Sequence, residues 1–163
     1  MIETERLLLL PLSANQLKLW ICDIKSLEAE LQCSYRAEPI KGELLNIIKG
    51  QISLIELDEA NYIYLTFWFI IRKDDWTVIG STCFKNLPDA SGEVEIGYGL
   101  GPEFESHGYM TEAIRALCKW ALKQENISCI TAETDIDNPK SHGVLERCDF
   151  KVYKTDETIW WRL

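Results

Sequence analysis

The segment EFESHGYMTEAI, residues 103–114, contains the transition that decides the fold. Gly108 stands immediately before an amphipathic helix, although glycine is among the poorest helix formers. The first four N–H groups of a helix have no partner within it, so they attract anions such as a pyrophosphate. A glycine there lets a phosphate approach the backbone and permits a positive φ angle. The alternative interpretation is an ordinary turn glycine. The predicted apolar stripe of the helix comprises Met110, Ile114, Leu117, Ala121 and Leu122.

The remaining sequence alternates between strand and helix patterns, which predicts a mixed α/β fold in one domain, residues 1–163. Ser13 is a plausible N-cap for a helical pattern over residues 13–35, and a second helix is predicted over residues 42–60. Asn138 is a candidate N-cap for a short helix, with Pro139 at its first position. The predicted strands are RLLLLPL, YIYLTFWFII, WTVIGSTCF, GEVEIGYGL, SCITAETD, FKVYKT and TIWWRL, of which the last two form a closing hairpin.

Composition narrows the classes of function. The formal net charge of −9 argues against a broad nucleic-acid-binding face and weakly favours cationic substrates, although acidity could simply keep the protein in solution. The six cysteines include no CxxC pair and there are only two histidines, so we expect reduced thiols, mostly buried, and no metal site. The apolar run near the N-terminus is too short for a signal peptide or a membrane span. We therefore expect a cytoplasmic protein that does not bind membranes.

Several motifs occur in a characteristic order: GEVEIGYGL, Pro102, a loop, GYMTEA, a strand and then NPKSHGVLERCDF. This order resembles the GNAT acetyltransferases, most closely the ribosomal-protein-alanine (RimJ/RimL-like) branch, which acetylates protein N-terminal amines and related small amines. The opening TERLLLLPL also fits the first strand of that branch. The resemblance implies a GNAT fold: a mixed sheet of about seven strands, flanked by helices and splayed between its fourth and fifth strands. It also implies acetyl-CoA as the co-substrate.

The resemblance assigns cofactor-binding residues by position. The family's pyrophosphate loop, Gln/Arg-x-x-Gly-x-Gly/Ala, falls on residues 105–110 and retains Gly108. Glu105 and Met110 depart from this pattern, which implies weaker cofactor binding at most. Asn138 and Ser141 match the family's Asn-x-x-Ser, which faces the pantetheine. The backbone groups expected to hold the phosphates are those of Ser106, His107, Gly108, Tyr109, Met110 and Thr111. Those expected to pair with the pantetheine arm are Tyr98, Gly99 and Leu100.

Two further positions depart from relatives. Asp149 stands where the family usually has glycine, but aspartate tolerates the left-handed conformation. Leu145 stands where many relatives carry a tyrosine as general acid, so that acid is absent here. The first departure is mild, and the second supports the alternative of a CoA-binding protein without turnover.

Acetyl transfer needs a group that accepts a proton from the attacking amine. Glu95 is the first candidate for this general base, because a carboxylate in an apolar strand is costly unless it is paired or useful. Glu133 is the second candidate, because some relatives place their base there. The alternative for each is a structural carboxylate with satisfied hydrogen bonds. Glu93 lies nearer the start of its strand, so we expect it to be solvated.

The sequence thus predicts an N-acetyltransferase that moves an acetyl group from acetyl-CoA to a primary amine, by direct attack with a glutamate base. The first alternative is a catalytically weak or inactive CoA-binding sensor or interaction module. The second is an unrelated α/β protein that uses Gly108 to bind a nucleotide. No motif identifies the acceptor, which is a small-molecule amine or a peptide amine. A homodimer formed through TIWWRL is also left open.

Overall fold

The structure, a computed structural model, describes residues 1–163 and contains one nine-stranded mixed sheet flanked by six helices. The sheet order is β1-β2-β4-β5-β6-β7-β9-β8, and the short β3 pairs with β5. The strands are β1 Ile2–Glu3, β2 Leu7–Pro11, β3 Ser34–Tyr35, β4 Phe67–Arg72, β5 Thr77–Phe84, β6 Glu93–Leu100, β7 Cys129–Asp135, β8 Lys151–Thr155 and β9 Thr158–Arg162. The helices are α1 Ala14–Cys22, α2 Ile24–Leu31, α3 Glu43–Leu57, α4 Tyr62–Leu65, α5 Tyr109–Ala121 and α6 Pro139–Arg147.

The seven predicted strands are all present, and the two additional ones are short. Strands β1 and β3 have two residues each, too few to give a periodic pattern. They form because a neighbouring strand has hydrogen-bonding groups free to pair with them: β1 pairs with β2, and β3 pairs with β5. The expected mixed α/β sheet is therefore confirmed, with a larger number of strands.

The helix predicted over residues 13–35 is interrupted, and its last part is wrong, because α2 ends at Leu31 and residues 34–35 form β3. Ser13 caps α1 as expected, in a capping box with Gln16. Asp23 has φ −152° and ψ 78°, which is not helical, and its side chain accepts a hydrogen bond from the N–H of Ser26 at 3.1 Å. Asp23 therefore ends α1 and caps α2, because aspartate competes well for backbone N–H groups.

The segment YIYL was predicted as strand, and that prediction is wrong. Tyr62–Leu65 forms the one-turn helix α4, and β4 begins only at Phe67. The change occurs at Thr66, whose buried hydroxyl donates to the carbonyl of Leu12 at 2.6 Å. A run of aromatic and β-branched residues has strand propensity, but here contacts with other segments decide the conformation.

Strands β6 and β7 part halfway along their length. Glu93–Ile96 pairs in parallel with Cys129–Ala132. Beyond that point, residues 97–100 of β6 pair only with β5, and residues 133–135 of β7 pair only with β9. The expected splay between the fourth and fifth predicted strands is thus present. One edge of β6 is left without a strand partner over four residues.

The two faces of the sheet are covered unequally. Helix α5 packs on one face over a 23-residue apolar core that includes Val94 and Ile96 of β6. Helices α1, α2 and α3 pack on the other face over a 14-residue core, which reaches only as far as Cys83 of β5. The face of β6 and β7 that points away from α5 therefore lies beyond this second core. None of the helices is both long and apolar enough to cross a membrane.

The closing hairpin has an order that the sequence did not reveal. Strand β9, which contains most of TIWWRL, lies between β7 and β8 and pairs with both. Its two edges are therefore occupied, and the suggestion that it pairs with another chain is wrong. The edge strand at this end of the sheet is β8.

Candidate active site

The loop before α5 has the backbone conformation of an anion site. Gly108 caps α5 with φ 78°, and Ser106 is also left-handed, with φ 64°. No side chain caps the helix, and the N–H groups of Ser106, His107 and Gly108 donate no hydrogen bond within the protein. These donors, together with the first turn of α5, are available to an anionic ligand.

The outer side of this loop is held by Arg6. Its guanidinium donates to the carbonyl of His107 at 3.0 Å and to the carboxylate of Glu112 at 2.7 Å, and it lies 4.5 Å from the centre of the Tyr109 ring. Burial acts to raise the pKa of Glu112, but hydrogen bonds from Thr4 and Arg6 outweigh it and lower that pKa. The Arg6–Glu112 pair thus fixes the loop from outside and leaves the inner side free.

A groove of about 510 Å³ runs from this loop to the splay and lies in the size range of ligand pockets. Ten of the eleven predicted cofactor-binding residues line it. These are Tyr98, Gly99, Leu100, Ser106, Gly108, Tyr109, Met110, Thr111, Asn138 and Ser141. The exception is His107, whose exposed ring stacks on Tyr109 and lies 2.6 Å from the carbonyl of Glu105. Any contribution from His107 would come through its N–H group.

The opposite wall of the groove is formed by α6. Asn138 caps this helix as predicted, since its side-chain oxygen accepts from the N–H of Ser141 at 3.1 Å, and Pro139 occupies the first position. Asp149 adopts the expected left-handed conformation, with φ 69°. Leu145 is an aliphatic, fully buried side chain, so its position supplies no general acid.

Tyr98 links the two walls. Its hydroxyl donates to the carbonyl of Ser141 at a long 3.4 Å. Burial raises the pKa of Tyr98 to about 12, so the phenol stays protonated at neutral pH. It can therefore act as a hydrogen-bond donor in the groove but not as a base.

Three groove residues were missed by sequence reasoning, namely Lys140, Val144 and Arg147. They recur at steps of four and three residues along α6, so they share the helix face that carries the groove. Arg147 also donates to the hydroxyl of Thr111 at 3.2 Å, which joins α6 to the start of α5. The helical periodicity after Asn138 was the signal that could have found them.

The groove fits coenzyme A in three respects. Free N–H groups precede α5, the unpaired edge of β6 runs beside the groove, and Lys140 and Arg147 supply positive charge. Gly99 has no atom within 4 Å of the place a Cβ would occupy, so this part of β6 is open. A diphosphate and an extended amide-containing arm are the chemical groups that such a surface can bind.

The two candidate bases lie on the sheet face opposite α5, on the two strands that part. They flank the splay but do not line the groove. Glu95 is largely buried, and one of its oxygens lies 2.5 Å from the ammonium of Lys85. Glu133 accepts a hydrogen bond from the hydroxyl of Thr158 at 2.7 Å. Glu93, expected to be solvated, is instead 2.5 Å from the guanidinium of Arg162.

The cysteines form no disulfide. Three of them, Cys83, Cys118 and Cys148, are buried, and the other three are exposed or half-buried. Burial raises the pKa of Cys83 to about 12, so this thiol stays protonated. No group of three or more His, Cys, Asp or Glu side chains is arranged to hold a metal ion.

An α/β sheet splayed beside an uncapped helix N-terminus is the arrangement that the resemblance to the GNAT acetyltransferases implied. Residues 6–151 match the family described as the acetyltransferase (GNAT) domain, and the chain belongs to this family. The family predicted from the motif order is therefore confirmed.

Individual relatives agree with this assignment. An uncharacterized N-acetyltransferase, YjdG, from Bacillus subtilis is 37% identical over 95 residues, which cover 58% of this chain and 56% of that protein. The ribosomal L7/L12 alpha-N-protein acetyltransferase RimL, solved with coenzyme A, has a TM-score of 0.70 at 16% identity and covers 98% of this chain and 94% of its own. A spermidine N-acetyltransferase chimera of Vibrio cholerae SpeG and hSSAT has a TM-score of 0.67 at 14% identity, covering 98% and 95%.

Proposed function

We propose that this protein transfers the acetyl group of acetyl-CoA to a primary amine. The observation that carries the proposal is the set of free N–H groups before α5, with a groove leading from them to the splay. Backbone groups from Ser106 to Thr111 hold the diphosphate in this proposal. Tyr98, Gly99 and Leu100 pair with the pantetheine arm, and Asn138 and Ser141 face it from α6. Acetyl-CoA supplies an activated thioester.

The amine approaches from the sheet face opposite α5, where Glu95 and Glu133 flank the splay. Only a neutral amine can attack a thioester carbon. An α-amine with a pKa near 7.8 needs about 1 kcal/mol to become neutral at pH 7, and a lysine-like amine near 10.4 needs about 4–5 kcal/mol. A carboxylate that takes up the proton, directly or through a water, lowers this barrier. The thioester oxygen gains negative charge as the C–N bond forms, and a backbone N–H of residues 98–100 can stabilise it. The C–S bond then breaks, and coenzyme A leaves as its thiolate, which takes up a proton from solvent.

The two carboxylates differ in what holds them. Lys85 pairs with one oxygen of Glu95 and leaves the second oxygen for a proton. Thr158 donates one hydrogen bond to Glu133, so this side chain also keeps acceptor capacity. Both therefore remain candidates for the base, and we retain Glu95 as the first.

The acceptor is proposed only as a class. RimL and SpeG carry the names of a protein α-amine acetyltransferase and a spermidine acetyltransferase. The net charge of −9 favours approach of a cationic amine. We therefore expect a peptide α-amine or a small polyamine. The six free thiols support the expected cytoplasmic location, where disulfides are rare.

The direct test is an acetylation screen against peptides, polyamines, amino acids and aminoglycosides, read by a 42-Da mass increase and by thiol release, with titration calorimetry of coenzyme A in parallel. We expect binding of coenzyme A and acetylation of at least one amine class. Binding without turnover across the screen would favour the sensor or interaction module, for which Glu105, Met110 and Leu145 give support. Binding of nucleotides but not of coenzyme A would contradict both.

A further inference from the structure

The phosphate-binding loop carries an acidic side chain that an anion site should not favour. Glu105 lines the groove, and its carboxylate lies 2.5 Å from the ammonium of Lys140. Lys140 is the second residue of α6 and also lines the groove. The two residues are 35 positions apart in the chain, so this ion pair joins the loop before α5 to the start of α6. It connects the two walls of the groove.

The two members of the pair have opposite relations to a phosphate. An ionised carboxylate only accepts hydrogen bonds, so Glu105 can offer a phosphate nothing but repulsion. An ammonium donates three hydrogen bonds and is a common phosphate ligand. Two other cations lie near the loop: Arg6 is already committed to Glu112 and to the carbonyl of His107, and Arg147, which also lines the groove, donates to the hydroxyl of Thr111. Lys140 is therefore the cation that a bound diphosphate and Glu105 would share.

We propose that the Glu105–Lys140 ion pair is a displaceable latch, in which the carboxylate occupies the place of a cofactor phosphate on Lys140. When coenzyme A binds, its diphosphate replaces Glu105 as the ion-pair partner of the Lys140 ammonium, and the carboxylate of Glu105 turns towards solvent. This exchange is feasible because the Lys140 side chain is 75% exposed and exposed ion pairs contribute little to stability. The inference rests on the proposed function, and it makes Glu105 a determinant of cofactor affinity.

The first test is Glu105→Gln, with the dissociation constant of coenzyme A measured by titration calorimetry. Removing the competing charge should tighten binding roughly 3- to 10-fold. The matched control is Glu103→Gln, which makes the same charge change two residues away. Glu103 pairs with Arg36 at 2.7 Å and does not line the groove, so its substitution should leave the affinity within about 2-fold. Unchanged or weaker binding by Glu105→Gln would overturn the proposal.

The second test distinguishes exchange of the ion-pair partner of Lys140 from simple repulsion between Glu105 and the diphosphate. Lys140→Gln should weaken binding roughly 3- to 10-fold, and Lys140→Arg should restore it to within about 2-fold. In the latch, the gain from Glu105→Gln depends on Lys140, so it should shrink in the Lys140→Gln background. An equal gain in both backgrounds would show that Glu105 acts by repulsion alone and would overturn the latch.

The third test identifies the phosphate. The gain from Glu105→Gln should appear with coenzyme A and with dephospho-CoA, which retains the diphosphate, and should be absent with pantetheine. Loss of the gain with dephospho-CoA would assign Lys140 to the 3′-phosphate and overturn this proposal. Wild-type protein that binds no coenzyme A would overturn the proposed function and the latch together, whereas normal wild-type binding without a gain overturns the latch alone.

Discussion

On the α5 side of the splay, the groups available to a ligand are mostly main-chain N–H groups and the unpaired edge of β6. On the other side they are two carboxylates, Glu95 and Glu133. In our proposal the first site depends on backbone conformation, so it can tolerate side-chain changes such as Met110 in the first turn of α5. The second depends on side-chain chemistry, so a change of one atom should matter there. The following predictions test this division.

The largest effect is expected on the carboxylate side. Glu95→Gln, or Glu133→Gln if that residue is the base, should lower kcat/KM by about 10²–10⁴-fold, because an amide cannot take up the proton of the amine. Coenzyme A affinity should change by less than about 2-fold, since neither side chain lines the groove. Steady-state kinetics over pH and calorimetry measure the two quantities.

Glu93→Gln is the matched control for this test, because Glu93 lies on the same strand and face and is also paired with a cation, Arg162, but stands two residues further from the splay. It should retain kcat/KM. If both Glu95→Gln and Glu133→Gln keep the wild-type kcat/KM and pH profile, the assignment of a glutamate base is wrong.

The next effect is expected on the backbone side. Gly108→Val should weaken coenzyme A binding by about 100-fold, because a β-branched residue is strained at φ 78° and its Cβ would lie 3.5 Å from the Arg6 guanidinium that holds the loop, so the loop N–H groups would be displaced. Gly50→Val in α3 is the control, since no atom lies within 4 Å of the added Cβ. Near-normal affinity of a folded Gly108→Val variant would refute the anion site.

A smaller effect should follow from loosening the loop from outside. Glu112→Gln should lower the free energy of unfolding at pH 7 by about 1–2 kcal/mol, because it removes the ion pair with Arg6. The pKa of Glu112 is lowered in the folded state, so its contribution is present above its unfolded pKa, about 4.3, and disappears as the pH falls through the folded value.

Urea unfolding of wild type and Glu112→Gln at pH 7 and near pH 3 measures this contribution. The difference in unfolding free energy should shrink at the lower pH. Glu146→Gln is a suitable control, because Glu146 is exposed and forms no ion pair. A stability difference that stays constant with pH would exclude the ionised pair as its cause.

The smallest effect concerns Asn138, where one side chain serves the fold and, in our proposal, the cofactor. Asn138→Ala should cost about 1 kcal/mol of stability through loss of the N-cap, and Asn138→Ser should restore most of it. Both variants should bind coenzyme A a few-fold more weakly, because both lack the amide. If Asn138→Ser recovers affinity as well as stability, the side chain acts as a cap alone.

Much of this architecture was readable from residue patterns. The predicted strand GEVEIGYGL is present, and Glu93, Glu95 and Gly97 alternate along it with the buried Val94 and Ile96. The apolar stripe of α5 was also correct, except that Leu122, at its end, is 43% exposed. Such patterns are informative because burial of apolar side chains dominates the energetics of each element.

Other features escaped the sequence because they depend on partners distant in the chain. The segment YIYL is helical, and β9 lies between β7 and β8. Lys140 contacts Glu105, which is 35 positions away in the chain. No local pattern records which strand edge is free or which two side chains meet. These outcomes are decided by packing and by competition for hydrogen-bonding groups.

The residue patterns by themselves predicted the α/β class, the apolar stripe of α5 and a glycine suited to positive φ before that helix, because these depend on local backbone preference and periodic burial. The family and the parting of two strands were expected from the resemblance that the order of the motifs carries. Only the tertiary structure decided which wall each side chain faces and which charges are already paired. Coulombic pairing falls off over a few ångströms, so it is fixed by three-dimensional distance and cannot be inferred from separation along the chain.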